Sequence, residues 1–122
     1  RGETVLVVED DAAILKLAER ILKGLGYRVM KGRTPTEALK AAVDAGSIAL
    51  LLTDVVMPEM NGRELANRLK ALHPGMKTLF MSGYTANVIA HRGVLEAGVN
   101  FIPKPFSRQE LAAKVKAVLE RG

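Results

Sequence analysis

The chain has 122 residues, of which 48% are hydrophobic and 25% charged, a balance typical of one folded domain and unlike that of a disordered segment. It contains no cysteine, which excludes disulfides, thiolate metal sites and cysteine nucleophiles. The formal net charge of +5 raises the question of a nucleic-acid or membrane-surface partner.

Five short aliphatic runs recur along the chain, at Thr4–Val8, Tyr27–Met30, Ala49–Thr53, Lys77–Ser82 and Asn100–Pro103. Runs that are apolar on both faces are typical of strands buried between two helix layers. All of them are far shorter than the roughly 18 residues of a membrane span, so we expect no membrane insertion. The chain starts at Arg1 with neither an initiator Met nor a secretory signal. We therefore expect a cytoplasmic piece of a longer chain.

Longer segments with helical spacing lie between these runs. The first carries an apolar stripe made of Ile14, Ala18, Ile21, Leu22 and Leu25, and the last carries one made of Leu111, Val115, Val118 and Leu119. Such stripes, with charged residues on the opposite face, are typical of amphipathic helices that cover a sheet.

Helix ends are marked by capping signals. The sequences Thr34-Pro35-Thr36-Glu37 and Ser107-Arg108-Gln109-Glu110 both predict capping boxes, with a hydroxyl at the N-cap and Glu three residues later. Gly24 or Gly26 is predicted to end the first helix, and His73-Pro74-Gly75 the third.

Five strands alternating with five helices predict an α/β fold, a doubly wound parallel (βα)5 sheet. Of the common doubly wound strand orders, the five-stranded one is the flavodoxin-like order 2-1-3-4-5. We expect residues 1–122 to form one domain with a core from about residue 4 to residue 120.

Polar residues follow four of the predicted strands: Glu9-Asp10-Asp11, Thr53-Asp54, Ser82-Gly83, and Lys104 between two prolines. In the order 2-1-3-4-5 these four strands are contiguous, so their carboxyl ends share one crevice. Clustered carboxylates repel one another unless a cation lies among them. An all-oxygen cluster without His or Cys favours a hard cation, Mg²⁺ above all. A lysine and a hydroxyl opposite the metal are suited to phosphate oxygens.

Each of these residues also has an ordinary interpretation. Asp10 or Asp11 would serve as a helix cap, Asp54 as a polar loop residue, Ser82 as a turn residue, and Lys104 as a solvated loop lysine. Their joint occurrence at one edge of the sheet favours a phosphoryl-transfer site over four separate accidents.

At these residues the sequence resembles the receiver domain of two-component response regulators, from Val5 to about Leu119. The resemblance rests on five motifs: Val7-Val8-Glu9-Asp10-Asp11, Leu52-Thr53-Asp54-Val55-Val56-Met57-Pro58, Asn61-Gly62, Met81-Ser82-Gly83-Tyr84-Thr85 and Pro103-Lys104-Pro105-Phe106. The run Phe80–Thr85 is most similar to receivers attached to hybrid sensor histidine kinases.

The resemblance implies a role for each acid. Asp54 would be the phosphoacceptor, taking a phosphoryl group from a phosphohistidine of a histidine kinase or histidine phosphotransfer domain. Asp10, Asp54 and the backbone carbonyl of Val56 would ligate Mg²⁺, and Glu9 would assist through a water molecule. Glu9 stands where the family often has Asp, but it retains the carboxylate.

The remaining implied roles concern phosphate binding and switching. Lys104 and Ser82 would contact the phosphoryl group, and Phe101 stands where the family has an aromatic residue that changes rotamer on activation. The face formed by the fourth helix, fifth strand and fifth helix would then change, which allows a phosphorylation-dependent dimer. Pro58, Gly62 and Pro105 would shape the loops.

Val56 and Tyr84 occupy the positions that the resemblance links to loss of the phosphoryl group. Neither side chain is a charged or amide group that readily orients a water molecule. We therefore expect a long-lived phosphoryl-Asp54, and a fast autodephosphorylation rate would contradict this expectation.

Several alternatives compete with a phosphoacceptor module. One is a pseudo-receiver that never carries phosphate, which a missing acid, hydroxyl or lysine would favour. Another is an aspartyl-phosphate phosphatase on a similar fold, which would place two Asp residues two apart after the first strand. As an isolated receiver the chain would not be an enzyme beyond its own phosphorylation and dephosphorylation.

A third alternative is a DNA-binding regulator. Basic residues are scattered over all helices without aromatic interleaving, so we expect no nucleic-acid binding by this domain.

Overall fold

The computed structural model describes residues 2–83 and 100–121 of the chain. Its strands are β1 (Thr4–Val8), β2 (Arg28–Gly32), β3 (Leu50–Asp54), β4 (Lys77–Ser82) and β5 (Phe101–Pro103). All neighbouring pairs are parallel, and the order is β2-β1-β3-β4-β5. The predicted flavodoxin-like order is therefore confirmed.

Strand boundaries differ from the prediction mainly in β2. The sequence predicts a strand over Tyr27–Met30, whereas the ladder continues through Lys31 and Gly32, which pair with Val7 and Val8 of β1. An edge strand has one neighbour and a partly exposed surface, so it accepts polar residues that an apolar run does not include.

The helices of the described part are α1 (Ala12–Gly24), α2 (Pro35–Val43), α3 (Gly62–Leu72) and a C-terminal helix (Arg108–Glu120). None of them is long and apolar enough to span a bilayer. The predicted fourth helix, and with it part of the predicted switching face, lies outside the described residues.

Alternate residues of the central strands face two apolar layers, as strand geometry requires. On β1, Val5 and Val7 belong to the layer under α1 and the C-terminal helix, whereas Leu6 and Val8 belong to the layer under α2 and α3. All four are fully buried. This double burial explains why the strand is an uninterrupted aliphatic run, and it anchors the strand end that carries the acids.

The helix caps agree with the sequence in all but one detail. The C-terminal helix has the complete capping box, with Ser107 and Glu110 bonded reciprocally. At α2 the Thr34 hydroxyl accepts the Glu37 N–H, but the Glu37 carboxylate accepts the N–H of Arg33, at 2.7 Å, instead of closing back on Thr34. The predicted box at α2 is thus only half formed, because the carboxylate finds a donor one residue earlier.

Gly26 ends α1 by a Schellman motif. Its N–H donates to Lys23, the Tyr27 N–H donates to Leu22, and Gly26 has a φ of +96°. That left-handed conformation is one that glycine adopts without a Cβ penalty, so of the two glycines predicted to end this helix Gly26 occupies the position after the cap.

Candidate functional site

The loop from β1 to α1 separates the roles of three consecutive acids. The Asp11 carboxylate accepts the N–H groups of Ala13 and Ile14 and is the N-cap of α1. Glu9 is 1% exposed, and its Oε2 accepts the Asp11 N–H at 3.0 Å. The capping interpretation therefore holds for Asp11. Glu9 and Asp10, at the end of β1, are not the N-cap of α1.

Three carboxylates meet where β1 and β3 end. One carboxylate oxygen each from Glu9, Asp10 and Asp54 lies within 4.8 Å of the other two. Glu9 and Asp54 are buried, and Asp10 is exposed. The parallel pairing of β1 with β3 explains this convergence: Val8 and Thr53 are in register, so the residues that follow them, Glu9 after the end of β1 and Asp54 at the last position of β3, lie side by side.

Lys104 extends from the end of β5 into this cluster. Its Nζ lies 2.6 Å from Asp54 Oδ1 and 2.9 Å from Glu9 Oε1, and its side chain is 15% exposed. The Lys104 backbone N–H donates to the Ser82 carbonyl at 2.6 Å, which fastens the two strand ends together. Pro105 follows Lys104 through a cis peptide bond.

The charges of the cluster perturb one another. Burial raises the pKa of Glu9 above its ordinary value of 4.5, and the nearby Asp54 carboxylate adds to the rise against the opposing effect of Lys104. For Lys104, burial alone would lower the pKa, but the hydrogen bonds to Asp54 and Glu9 outweigh it and leave the pKa of the ammonium above 10.5. Within the part of the chain that the structure describes, the Lys104 ammonium thus faces three carboxylates, so the site has negative charge left for a further cation.

Ser82 contributes a hydroxyl at the end of β4. It is 1% exposed, and its Oγ has no hydrogen-bond partner within residues 2–83 and 100–121. A buried hydroxyl without a partner is costly, and Thr78 Oγ1 on the same strand also lacks a partner among these residues; the position of Ser82 at the strand end makes its Oγ the candidate ligand-binding atom. Phe101, at the start of β5, is half-buried and packs against the apolar layer under α2 and α3.

The loop from β3 to α3 is shaped by two backbone contacts. The Val55 N–H donates to the Met81 carbonyl, and the Gly62 N–H donates to the Val55 carbonyl at 2.7 Å. Between them Val56 and Pro58 are exposed, and Glu59 has a φ of +76°. A Cβ on Gly62 would collide with the backbone of Asp54, so the loop closes this tightly because residue 62 has no side chain.

The structure thus gathers Glu9, Asp10, Asp54, Lys104 and Ser82 at one edge, as the strand-end pattern predicts. Tyr84 lies outside the described residues. Sequence reasoning missed two contacts beside the site, from Arg33 to the Asp10 carbonyl and from Thr36 to Glu59. Arg33 is a basic residue directly after the end of β2, and this position was the one signal in the sequence that could have pointed to its contact.

Replacing Glu9 with Gln is expected to raise the free energy of unfolding when chelator keeps metal ions away. The raised pKa means that the charged carboxylate is disfavoured in the fold. Between 4.5 and that raised value the folded chain binds more protons than the unfolded chain, so stability falls as pH rises through this window. Urea unfolding at a series of pH values should show this decline in the parent protein and lose it in Glu9→Gln. The exposed Glu120→Gln serves as the control, and an equal decline in all three proteins would contradict the expectation.

Comparisons with known proteins agree with this geometry. The family model described as "Response regulator receiver domain" matches residues 5–116. The chain is 40% identical over 119 residues to the sensor kinase CckA of Brucella abortus, covering 97% of this chain and 13% of the kinase. It is 32% identical to the DNA-binding transcriptional regulator NtrC of Azospirillum brasilense, covering 95% of this chain and 24% of the regulator. The chain therefore spans less than a quarter of the length of these relatives.

Solved structures give the same result. The receiver domain of the hybrid histidine kinase CckA superposes with a TM-score of 0.78 at 33% identity, covering 96% of this chain and 99% of that one. A CheY-like receiver domain protein from Methanospirillum hungatei superposes with a TM-score of 0.80 at 32% identity, covering 98% of this chain and 95% of that one.

Proposed function

Because the chain belongs to the response regulator receiver family of two-component signalling, we propose that Asp54 is its phosphoacceptor. The observation that carries the proposal is the position of the Asp54 carboxylate. It is buried at the end of β3, 2.6 Å from the Lys104 ammonium and clustered with Glu9 and Asp10. The donor would be a phosphohistidine of a histidine kinase or of a histidine phosphotransfer domain.

The reaction is a nucleophilic displacement at phosphorus. An Asp54 carboxylate oxygen forms the new O–P bond, while the P–N bond to the donor imidazole breaks and its electron pair remains on that nitrogen. Phosphoryl transfer depends mainly on alignment and on neutralising the oxygens of the moving group. Lys104 supplies a positive charge 2.6 Å from the nucleophile, and the hydrogen bond from its backbone N–H to the Ser82 carbonyl fixes the main chain from which the side chain extends.

The donor set fits Mg²⁺. Glu9, Asp10 and Asp54 offer oxygen ligands within 4.8 Å of one another, and among the described residues the Lys104 ammonium compensates only part of their negative charge. Asp10, Asp54 and the Val56 carbonyl would hold the ion, with Glu9 acting through a water molecule. When bound, the ion would neutralise phosphoryl oxygens beside the nucleophile.

The phosphorylated product would act as a switch. The Ser82 hydroxyl, which has no hydrogen-bond partner among the described residues, would donate to a phosphoryl oxygen, and Phe101 lies on the strand that pairs with β4. Movement of these two residues would alter the face that contains β5 and the C-terminal helix, and so bias a partner or a second copy of the chain.

The identity of the relatives suggests the setting. We propose a cytoplasmic receiver module within a phosphorelay, of the kind found in hybrid histidine kinases, with no catalytic activity beyond its own phosphorylation and dephosphorylation. The acids are adjacent at positions 9–11, and the buried nucleophile follows β3, an arrangement that disfavours the phosphatase alternative. The full set of acids, hydroxyl and lysine disfavours a pseudo-receiver.

The proposal is tested by incubating the protein with Mg²⁺ and acetyl phosphate, followed by intact-mass measurement. We expect one added phosphoryl group, and we expect chelation of Mg²⁺ to prevent the addition. Absence of uptake from both acetyl phosphate and a phosphorylated histidine kinase would refute the proposed function.

A further inference from the structure

Two loops beside the site accept hydrogen bonds from the segment that begins α2. The first fastening joins Arg33 to the loop that carries the acids. The guanidinium Nη2 of Arg33 donates to the backbone carbonyl of Asp10 at 3.0 Å. This bond acts on the main chain of Asp10 and leaves its carboxylate available to the cluster.

The second fastening joins Thr36 to the loop that follows the phosphoacceptor strand. The N–H and hydroxyl of Thr36 both donate to Glu59 Oε1, at 3.2 and 2.7 Å. Glu59 itself has a left-handed backbone with a φ of +76°, which is unfavourable for a residue with a long side chain. The two bonds from Thr36 compensate for that conformation, which lies three residues after Val56.

The segment itself is held in place. The Arg33 N–H donates to Glu37 Oε1 at 2.7 Å, and the Glu37 N–H donates to the Thr34 hydroxyl at 3.1 Å. Pro35 opens the helix with a backbone already suited to it. Arg33 and Thr36 therefore project from a short, locally constrained piece of chain, and both loops gain a fixed reference point.

We propose that residues 33–37, here named the α2 clamp, preset the two loops of the proposed metal site for Mg²⁺ by holding the Asp10 main chain and the Glu59 turn. The inference rests on the proposed function, since it assigns positioning residues to the same site. Mg²⁺ demands near-ideal octahedral geometry, so loops that are already placed bind it with less loss of conformational freedom.

Substitution of Arg33 distinguishes a positioning role from a purely electrostatic one, because the two roles predict opposite changes in Mg²⁺ affinity. If Arg33 acted only as a positive charge near an acidic cluster, removing the charge would strengthen Mg²⁺ binding. If Arg33 acts by holding the Asp10 carbonyl, removing it releases the loop and weakens Mg²⁺ binding.

The test is a calorimetric Mg²⁺ titration of Arg33→Met, which keeps an unbranched apolar stem and removes the charge and the donors of the guanidinium. We expect a roughly tenfold weaker Kd, at the low end of the effect of residues that orient metal ligands. Arg33→Lys, which retains a donor, should recover part of the loss. Lys40→Met removes an exposed cation from the last turn of α2 and should bind like the parent protein. An unchanged or tighter Kd for Arg33→Met would overturn the clamp.

The Glu59 contact is tested without relying on one variant. Glu59→Asn retains a side chain that tolerates the left-handed backbone but is too short to reach Thr36. Thr36→Val removes the hydroxyl and changes no charge. Both should weaken Mg²⁺ binding, and the double variant should be no weaker than Glu59→Asn alone because the hydroxyl then has no carboxylate to hold. Additive losses, or parent-like binding in both single variants, would contradict the clamp.

The clamp and the proposed function fail in different ways. If the parent protein binds no Mg²⁺, the metal site and the clamp both fail. If the parent protein binds Mg²⁺ and takes up phosphate while the clamp variants bind Mg²⁺ equally well, the clamp alone fails. Unfolding of each variant in chelator separates a local effect on the loops from loss of the fold.

Discussion

Asp54→Asn is expected to reduce phosphoryl uptake from acetyl phosphate by at least roughly a thousandfold, the scale on which removal of a nucleophile acts. The amide is nearly isosteric, so the buried end of β3 keeps its packing, but its neutral oxygen and nitrogen do not attack phosphorus as a carboxylate does. Lys104 would retain the Glu9 carboxylate at 2.9 Å, so the cluster does not leave the ammonium unpaired. Intact-mass measurement after incubation with Mg²⁺ and acetyl phosphate gives the readout.

Asp11→Asn is the matched control for this substitution. Asp11 lies at the same edge of the sheet, but its carboxylate accepts two N–H groups of α1 as the N-cap. Asn caps helices about as well as Asp, so the substitution should preserve this cap. We expect Asp11→Asn to take up one phosphoryl group like the parent protein. Undiminished uptake in Asp54→Asn would show that another residue is the acceptor and would refute the assignment.

Gly62→Ala is expected to lower the free energy of unfolding by about 2–3 kcal/mol, the upper range for adding a methyl group where there is no space. The new Cβ would meet the carbonyl oxygen and carbon of Asp54 and lie 3.3 Å from Thr53 Cγ2. These are mostly backbone atoms of a buried strand, so the collision is not relieved by rotating a side chain. Urea unfolding measures the loss directly.

The same collision should impair function. The obstacle lies on the main chain of the proposed phosphoacceptor, so phosphoryl uptake should fall in the fraction of Gly62→Ala that remains folded. Gly75→Ala is the control, because its Cβ would meet no atom within 4 Å. We expect Gly75→Ala to be neutral or slightly stabilising through the unfolded state. Equal stability of the two variants would contradict the close approach of Gly62 to Asp54.

Much of the fold follows from local patterns in the sequence. The double burial of Val5 to Val8 makes the strand uniformly aliphatic, and the capping hydroxyl of Ser107 marks its helix one residue before the start. The sequence did not predict that β2 extends to Gly32, because Lys31 looks like a loop residue until it is seen to lie on an edge strand. Likewise, the Glu37 carboxylate accepts the N–H of Arg33 because of the local path of the backbone before α2.

The candidate site shows the same division. Acids, hydroxyl and lysine at successive strand ends predicted one crevice, since parallel strands bring their carboxyl ends to a common edge. The distances from Lys104 to Glu9 and Asp54, and the resulting pKa shifts, depend on the tertiary structure because they join residues 95 and 50 positions apart.

The sequence by itself therefore determined the alternation of strands and helices and the residue types that follow each strand, because periodicity and strand ends are local properties. The strand order was predicted from the common five-stranded doubly wound fold, and the tertiary structure confirmed it. Only the tertiary structure decided that Asp11 caps a helix while Asp10 joins the cluster, and that Gly62 touches the Asp54 backbone. It also decided that Arg33 and Thr36 contact the Asp10 and Glu59 loops, each across 23 residues of sequence. Such contacts depend on the distance between chain segments in space, which no local pattern of residues records.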